Sequence, residues 1–360
     1  MRTRTRSKRE QVAAGLCAVA LVGAVAMLAL TRSTTTTAPT GAAADIVIPP
    51  ENEAAEIALG QPNALLEIQQ GSGKDVTVAQ VRRMQQQAAQ VEPAATDIQW
   101  QQLGPYNIGG RLVDVVADID QPNTVYSAVA GGGVWRSSDG GATWTNAWPN
   151  ENVQPMGALE QASDGTLWAG TGEANPPGGG LTYFGDGVYK STDRGQTWQH
   201  MGLRQSEAIG RIAADPTNPD RVFVAAAGHI ARSSGQRGLY RTEDGGKTWE
   251  RVLEPPNATT GAIDVAIHPT NPQIVFASLW DHRRTNGRRI YGGVGSGLFR
   301  STDGGDTWTR LETIVGGLAE YDQTQTGLTS HESLGRIGIA IAPTRLEGED
   351  AHRVYIVFGN

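Results

Sequence analysis

The sequence has a single cysteine, Cys17, in an apolar run near its start. That excludes a disulfide within the chain and any metal site built from several thiolates. An oxygen-bound cation is left open, but His229, His282 and His331 have no metal-motif spacing, so no metal and no cofactor are expected. The sequence also lacks a phosphate loop, a nucleophile elbow and a metalloprotease helix. Positive charge is in short supply. The formal net charge is −7, and residues 1–44 hold six of the Lys and Arg against one acid, so the rest is more acidic than the whole. An acidic body excludes nucleic acid as the main partner.

Long apolar runs are absent except at residues 12–30, which follow Arg2, Arg4, Arg6, Lys8 and Arg9. A basic flank before such a run directs the remainder out of the cytoplasm. The run has the length of one membrane-spanning helix. Two readings remain: an uncleaved anchor, or a signal peptide with Ala42-Ala43-Ala44 as distant cleavage chemistry. Residues 1–30 are therefore read as a basic flank plus anchor or signal. Residues 31–97 are read as a flexible, partly helical linker, with one amphipathic helix at 76–90. The expected location is periplasm, cell surface or exterior.

What the chain has in abundance is glycine, 46 residues, and nine tryptophans. From about residue 98 an eight-residue string recurs: S-S-D-G-G-A-T-W at 137–144, S-T-D-R-G-Q-T-W at 191–198, T-E-D-G-G-K-T-W at 242–249, and S-T-D-G-G-D-T-W at 301–308. The strings recur roughly 50 to 60 residues apart, the signature of a repeat architecture. Each is preceded by a short strand pattern (G-V-W-R, G-V-Y-K, G-L-Y-R, G-L-F-R) and followed by another. Each unit opens with a glycine and a small apolar strand, then a turn rich in Asp, Pro and Asn, then a second strand. Four antiparallel strands per unit, arranged radially, make a β-propeller.

The expected fold is thus all-β: a propeller of four-stranded blades at about 106–149, 150–203, 204–254 and 255–312, with a partial fifth at 313–360. Residues 98–103 read as a fourth strand that could complete the last blade, and the array reads as a truncated ring.

Within each string the glycines supply backbone angles that other residues reach only with strain. The carboxylate accepts turn N–H groups, and the tryptophan covers the hairpin. Asp139, Asp193, Asp244 and Asp303, with Trp144, Trp198, Trp249 and Trp308, are therefore structural. These strings resemble the BNR/Asp-box repeats of sialidases, sortilin-type receptors and xyloglucanase-like glycoside hydrolases. The segments L-G-P at 103–105, N-I-G-G-R at 107–111, G-T-G-E-A-N-P at 170–176 and G-R-I at 210–212 resemble bacterial sortilin-like and xyloglucanase-like proteins. The resemblance covers residues 98–360. It implies the propeller, but it implies activity poorly, because function on this fold resides in loops.

Meander topology puts the Asp boxes and first turns on one face, and the long loops at 172–186, 228–238, 280–297 and 313–334 on the other. That loop-rich face is the expected site. Arg111, Arg211 and Arg336 each follow an opening glycine on an innermost strand. Such a trio suits a carboxylate, sulfate or phosphate. The alternative is pairing with Asp114, Glu160, Asp264 or Glu332. Sialidases use an arginine trio, but no matching motif surrounds this one. Trp280 could stack on a sugar, and His229 lies in the same loops. Glu173 and Asp281 are the carboxylates to test as a hydrolytic pair. No acidic motif of the kind associated with xyloglucanases is found around 107–114.

The function read from the sequence is an extracytoplasmic binding or scaffold module. Its partner would be a protein, peptide or carbohydrate, with the membrane touched only through an uncleaved N-terminus. The alternative is a glycoside hydrolase acting on polysaccharide.

Overall fold

The computed structural model describes residues 110–148, 153–175, 184–230, 235–285, 288–311, 334–345 and 352–358, with Arg83, Gln87 and Gln90. The chain divides into two units, Met1–Asn52 and Glu53–Asn360, and every described residue lies in the second. The expected anchor, most of the linker and the strand at 98–103 lie outside the described residues; Arg83 and Gln87 are helical. Among the described residues no helix is long and apolar enough to cross a membrane.

Four four-stranded antiparallel sheets follow one another along the chain. The first comprises β1 (Leu112–Ala117), β2 (Val125–Val129), β3 (Gly133–Ser137) and β4 (Thr145–Asn146). The second comprises β5 (Met156–Gln161), β6 (Leu167–Thr171), β7 (Val188–Ser191) and β8 (Gln199–Gly202). The third comprises β9 (Ile209–Ala214), β10 (Val222–Ala226), β11 (Gly238–Thr242) and β12 (Glu250–Leu253). The fourth comprises β13 (Thr260–Ile267), β14 (Val275–Asp281), β17 (Gly297–Ser301) and β18 (Thr309–Arg310). Between β14 and β17 a small hairpin, β15 (Arg283–Thr285) and β16 (Arg288–Ile290), is inserted. The last sheet pairs β19 (Ile337–Arg345) with β20 (His352–Phe358).

The first strands of successive sheets pack side by side: β1 on β5, β5 on β9, β9 on β13 and β13 on β19. They form the hub, and the sheets are blades radiating from it. Each blade's two faces are apolar, so the core is a series of layers between blades. Tyr126, Trp148, Met156 and Leu167 fill the layer between blades one and two. Trp168, Ile209 and Val222 fill the next, and Phe223, Ala262 and Val275 the one after.

Each Asp box is one hydrogen-bonded unit. In the third, the Asp244 carboxylate accepts the Thr242 hydroxyl (2.8 Å), the Thr248 N–H (2.9 Å) and the Thr248 hydroxyl (2.7 Å). The Thr242 hydroxyl in turn accepts the Gly246 N–H at 2.9 Å. The same set recurs around Asp139, Asp193 and Asp303. Gly246 sits at φ +91, and a Cβ there would meet the Trp168 ring of the preceding blade at 2.8 Å. Only glycine satisfies both the angle and the space.

The tryptophans reach further than their own hairpins. Trp198 donates its indole N–H to Ala147 O, and Trp249 donates to Met201 O, both in the preceding blade at 2.7 Å. In blades two and three the box thus staples the blade to the one before it, whereas Trp144 and Trp308 donate within their own boxes, to Gly141 O and Gly305 O.

Candidate functional site

The box glycines donate to first-turn carbonyls: Gly140 to Asn123, Gly245 to Asp220 and Gly304 to Gln273. Boxes and first turns thus share one face, and the longer loops emerge on the other. There the loops of blades two, three and four converge on a small apolar cluster of Ala174, Ala208, Ala227, Ile263 and Trp280. Glu173, Glu207, His229, Asp281 and His282 flank it, so side chains far apart in sequence form one patch.

Glu173 is buried, and Arg111 donates to its Oε2 at 2.5 Å, tying blade one to blade two. Burial raises the Glu173 pKa against the opposing charge of Arg111. Its Oε1 is buried without a hydrogen-bond partner among the described residues. Asp281 is held differently. Its carboxylate accepts Thr259 Oγ1 (2.6 Å), Asn257 Nδ2 (2.9 Å) and Gly295 N (3.3 Å), while its own N–H donates to Ser296 Oγ. It locks the 280–297 insertion to the loop entering β13.

Trp280 is buried, its ring stacked on His282 at 4.0 Å and 11° and its N–H bonded to Tyr291 O at 2.7 Å. The Tyr291 ring lies 6.5 Å from that of Trp280 at 18°, and is exposed. Burial, then the Arg237 charge, pushes His282 down to about 4, so its ring is neutral at physiological pH. His229 stacks on Phe184 at 3.8 Å, and its Nε2 lies 3.6 Å from Glu207 Oε2.

Sequence reasoning passed over Arg237. Its buried guanidinium donates to Ala227 O (2.7 Å), Thr259 O (3.1 Å) and His229 O, gathering loops of two blades. Only Gly228, whose Cβ would strike Arg237, hints at it in the sequence.

The hub carries a second group of charges. Arg211 Nε lies 3.3 Å from Asp264 Oδ1, and Nη1 lies 3.3 Å from Asp114 Oδ2. Asp114 also accepts the Leu159 N–H of blade two, and Asp264 the Ile339 N–H of blade five. Arg211 thereby connects blades one, three and four across the hub. The equivalent residue of blade two is Ala158, small enough to let it pass.

The expected alignment of Arg111, Arg211 and Arg336 at one height is corrected by the strand register. Arg211 pairs with Ala225, the position that Asp114 shares with Ala128, Ala158 with Gly170 and Asp264 with Ser278. Bulges add one residue to β1, β5, β9 and β13 at differing distances from the opening glycine, so counting from that glycine misaligns the arginines. Arg111 and Arg336 lie outside their strands, one joined to Glu173, the other near Asp264 and Arg211. Burial and the charge of Arg211 lower the Arg336 pKa. Glu160 lies close to Arg211, and burial raises it to about 7 despite that charge. Among the described residues no three His, Cys, Asp or Glu converge to hold a metal ion.

The family model described as "Sortilin, neurotensin receptor 3" matches residues 186–334. A xyloglucanase of Paenibacillus sp is 27% identical over 237 residues, covering 56% of this chain and 21% of the relative. An oligoxyloglucan-reducing end-specific xyloglucanase of Emericella nidulans is 31% identical over 168 residues, covering 44% of this chain and 19% of the relative. An ancestral GH74 enzyme of known structure aligns with TM-score 0.49 and 21% identity, covering 72% of this chain and 31% of that one. The matched stretches span about a fifth of the xyloglucanases' length. The hydrogen-bonded boxes and the four-stranded sheets around one hub make the array an Asp-box β-propeller, similar in sequence to sortilins and xyloglucanases.

Proposed function

We propose that this propeller acts outside the cytoplasm and binds a polysaccharide of the xyloglucan class on the face opposite its Asp boxes. The convergence of three blades' loops around Trp280 carries the reading. The exposed Tyr291 ring lies nearly parallel to Trp280, which in turn stacks on His282, and a flat, supported aromatic is the surface on which a sugar's C–H face packs. The xyloglucanase relatives support the choice of ligand. Placement outside the cytoplasm rests on the basic flank before residues 12–30.

Glu173 and Asp281 serve here as ties between loops, so binding without cleavage is expected. Affinity electrophoresis tests this: xyloglucan in the gel should retard the protein, pectin should not, and Tyr291→Ala should weaken retention about tenfold. Migration unaffected by xyloglucan at any concentration would refute the reading.

Hydrolysis is the second reading. One observation favours it: a buried Glu173 with a raised pKa is the state a general acid requires. Release of reducing ends from xyloglucan, abolished by Glu173→Gln, would put hydrolysis in place of simple binding.

A further inference from the structure

The stretch that leads from β16 into β17 reads Y-G-G-V-G-S-G at 291–297, a composition that in isolation makes a flexible linker. In the folded chain it is an arm held by three neighbours. The Asp281 carboxylate accepts the Gly295 N–H at 3.3 Å, and the Asp281 N–H donates to Ser296 Oγ at 2.9 Å. Arg310 of β18 donates to Val294 O at 3.4 Å and to Ser296 O at 2.8 Å. Leu334 O accepts the Gly293 N–H at 3.3 Å, and the Ser296 N–H closes a turn onto Gly293 O at 2.9 Å. The glycines let the arm lie this close. A Cβ at Gly293 would meet Asp281 Oδ2 at 2.7 Å, and one at Gly295 would strike Thr260 Oγ1.

Both ends of the arm are held from one strand end. Trp280 and Asp281 are consecutive at the close of β14. The Trp280 N–H takes Tyr291 O at 2.7 Å, and Asp281 takes Gly295 and Ser296. Asp281 is fixed in turn by Thr259 Oγ1 and Asn257 Nδ2, and Asn257 Oδ1 accepts the N–H groups of Thr259 and Thr260 at 3.0 and 2.8 Å. The Asp281 carboxylate is buried and engaged within the protein, which gives it a role on the arm rather than on a ligand. What the arm turns outward is apolar: Tyr291 is 36% exposed and Val294 57%.

We propose that Asp281 is the positioning residue of the loop-face platform. By holding the glycine arm it presets the Tyr291 ring, so that binding does not have to order the arm. The inference rests on the ligand reading given above. Glycine has more backbone freedom to lose than any other residue, and an arm ordered in advance turns that loss into affinity.

Two measurements on the full chain test it: amide hydrogen exchange of the free protein, and calorimetric titration with a xyloglucan oligosaccharide. Asp281→Ala should speed exchange at 291–297 about tenfold and leave the box turns unchanged. Affinity should fall about tenfold. Placed on top of Tyr291→Ala, Asp281→Ala should weaken binding no further, because its effect passes through that ring. Gly295→Ala, which displaces the arm from Thr260 with Asp281 intact, should reproduce both effects, and thermal unfolding checks that each variant folds. Unchanged exchange at 291–297 in both variants would overturn the proposal whether or not xyloglucan binds. If the wild type binds, undiminished affinity in both variants, or a full further loss on top of Tyr291→Ala, would overturn it and leave the ligand reading standing. A wild type that binds no xyloglucan refutes the ligand reading, and exchange at 291–297 then decides the role of Asp281.

Discussion

Glu160 is the one carboxylate at its register position: Val116, Ala213, Ala266 and Ala340 occupy it in the other blades. Burial near the hub raises its pKa from 4.5 to about 7, the nearby charge of Arg211 offsetting only part of the penalty. A carboxyl whose folded pKa is raised binds its proton more tightly when folded. The protein is therefore unpenalised below about pH 4.5, loses stability as pH climbs toward 7, and stays at the lower level above. Glu160→Gln should leave melting unchanged near pH 4.5 and raise Tm by about 3–6 °C at pH 8. Differential scanning calorimetry at the two pH values reads the difference directly.

The box aspartates work in the opposite sense. Hydrogen bonds from Thr248 and Thr242 hold Asp244 at about 2, and those from Thr143 and Ser137 hold Asp139 at about 2. Burial pushes Asp193 up, the largest single effect on it, but the hydrogen bonds from Thr197 and Ser191 together outweigh it and the net shift is downward. Their contribution is complete above about pH 4 and is lost as pH falls toward 2. Melting temperature should drop across that window, and less steeply in Asp244→Asn.

At the scale of elements, the box hairpin is the joint. Trp249 combines an N–H bond to Met201 O with packing on Trp168, so Trp249→Ala should cost about 3 kcal/mol in chemical denaturation. Trp144→Ala, whose N–H bonds only within its own box and whose ring is 40% exposed, should cost below about 1 kcal/mol.

These joints were legible in the sequence because their chemistry is local. Hydroxyl, carboxylate, glycine and tryptophan stand within eight residues, and the strands alternate around them. The hub charges were legible only in part. Asp114 and Asp264 stood out as carboxylates within reach of the arginines, but a bulge residue carries no mark in the sequence, so the height of Arg211 was misread. The loop face was harder still. The partners that hold Asp281 are Thr259, Asn257 and Gly295, and polar loop residues of that kind form no pattern until the backbone brings them together.

At the scale of the molecule, hub and loops divide the labour. The inner strands are tied across the axis by Arg211 and between neighbours by Asp114 and Asp264, a rigid base for the loops of the proposed ligand face. The box face is saturated by its own hydrogen bonds and has little to offer a ligand. Amide hydrogen exchange with and without xyloglucan oligosaccharide separates the two faces in one experiment. Binding should slow exchange at 172–187, 227–238 and 280–297, and leave the box turns at 139–143, 193–197, 244–248 and 303–307 unchanged. Protection confined to the box turns, or none on any loop, would contradict the assignment of the ligand to the loop face.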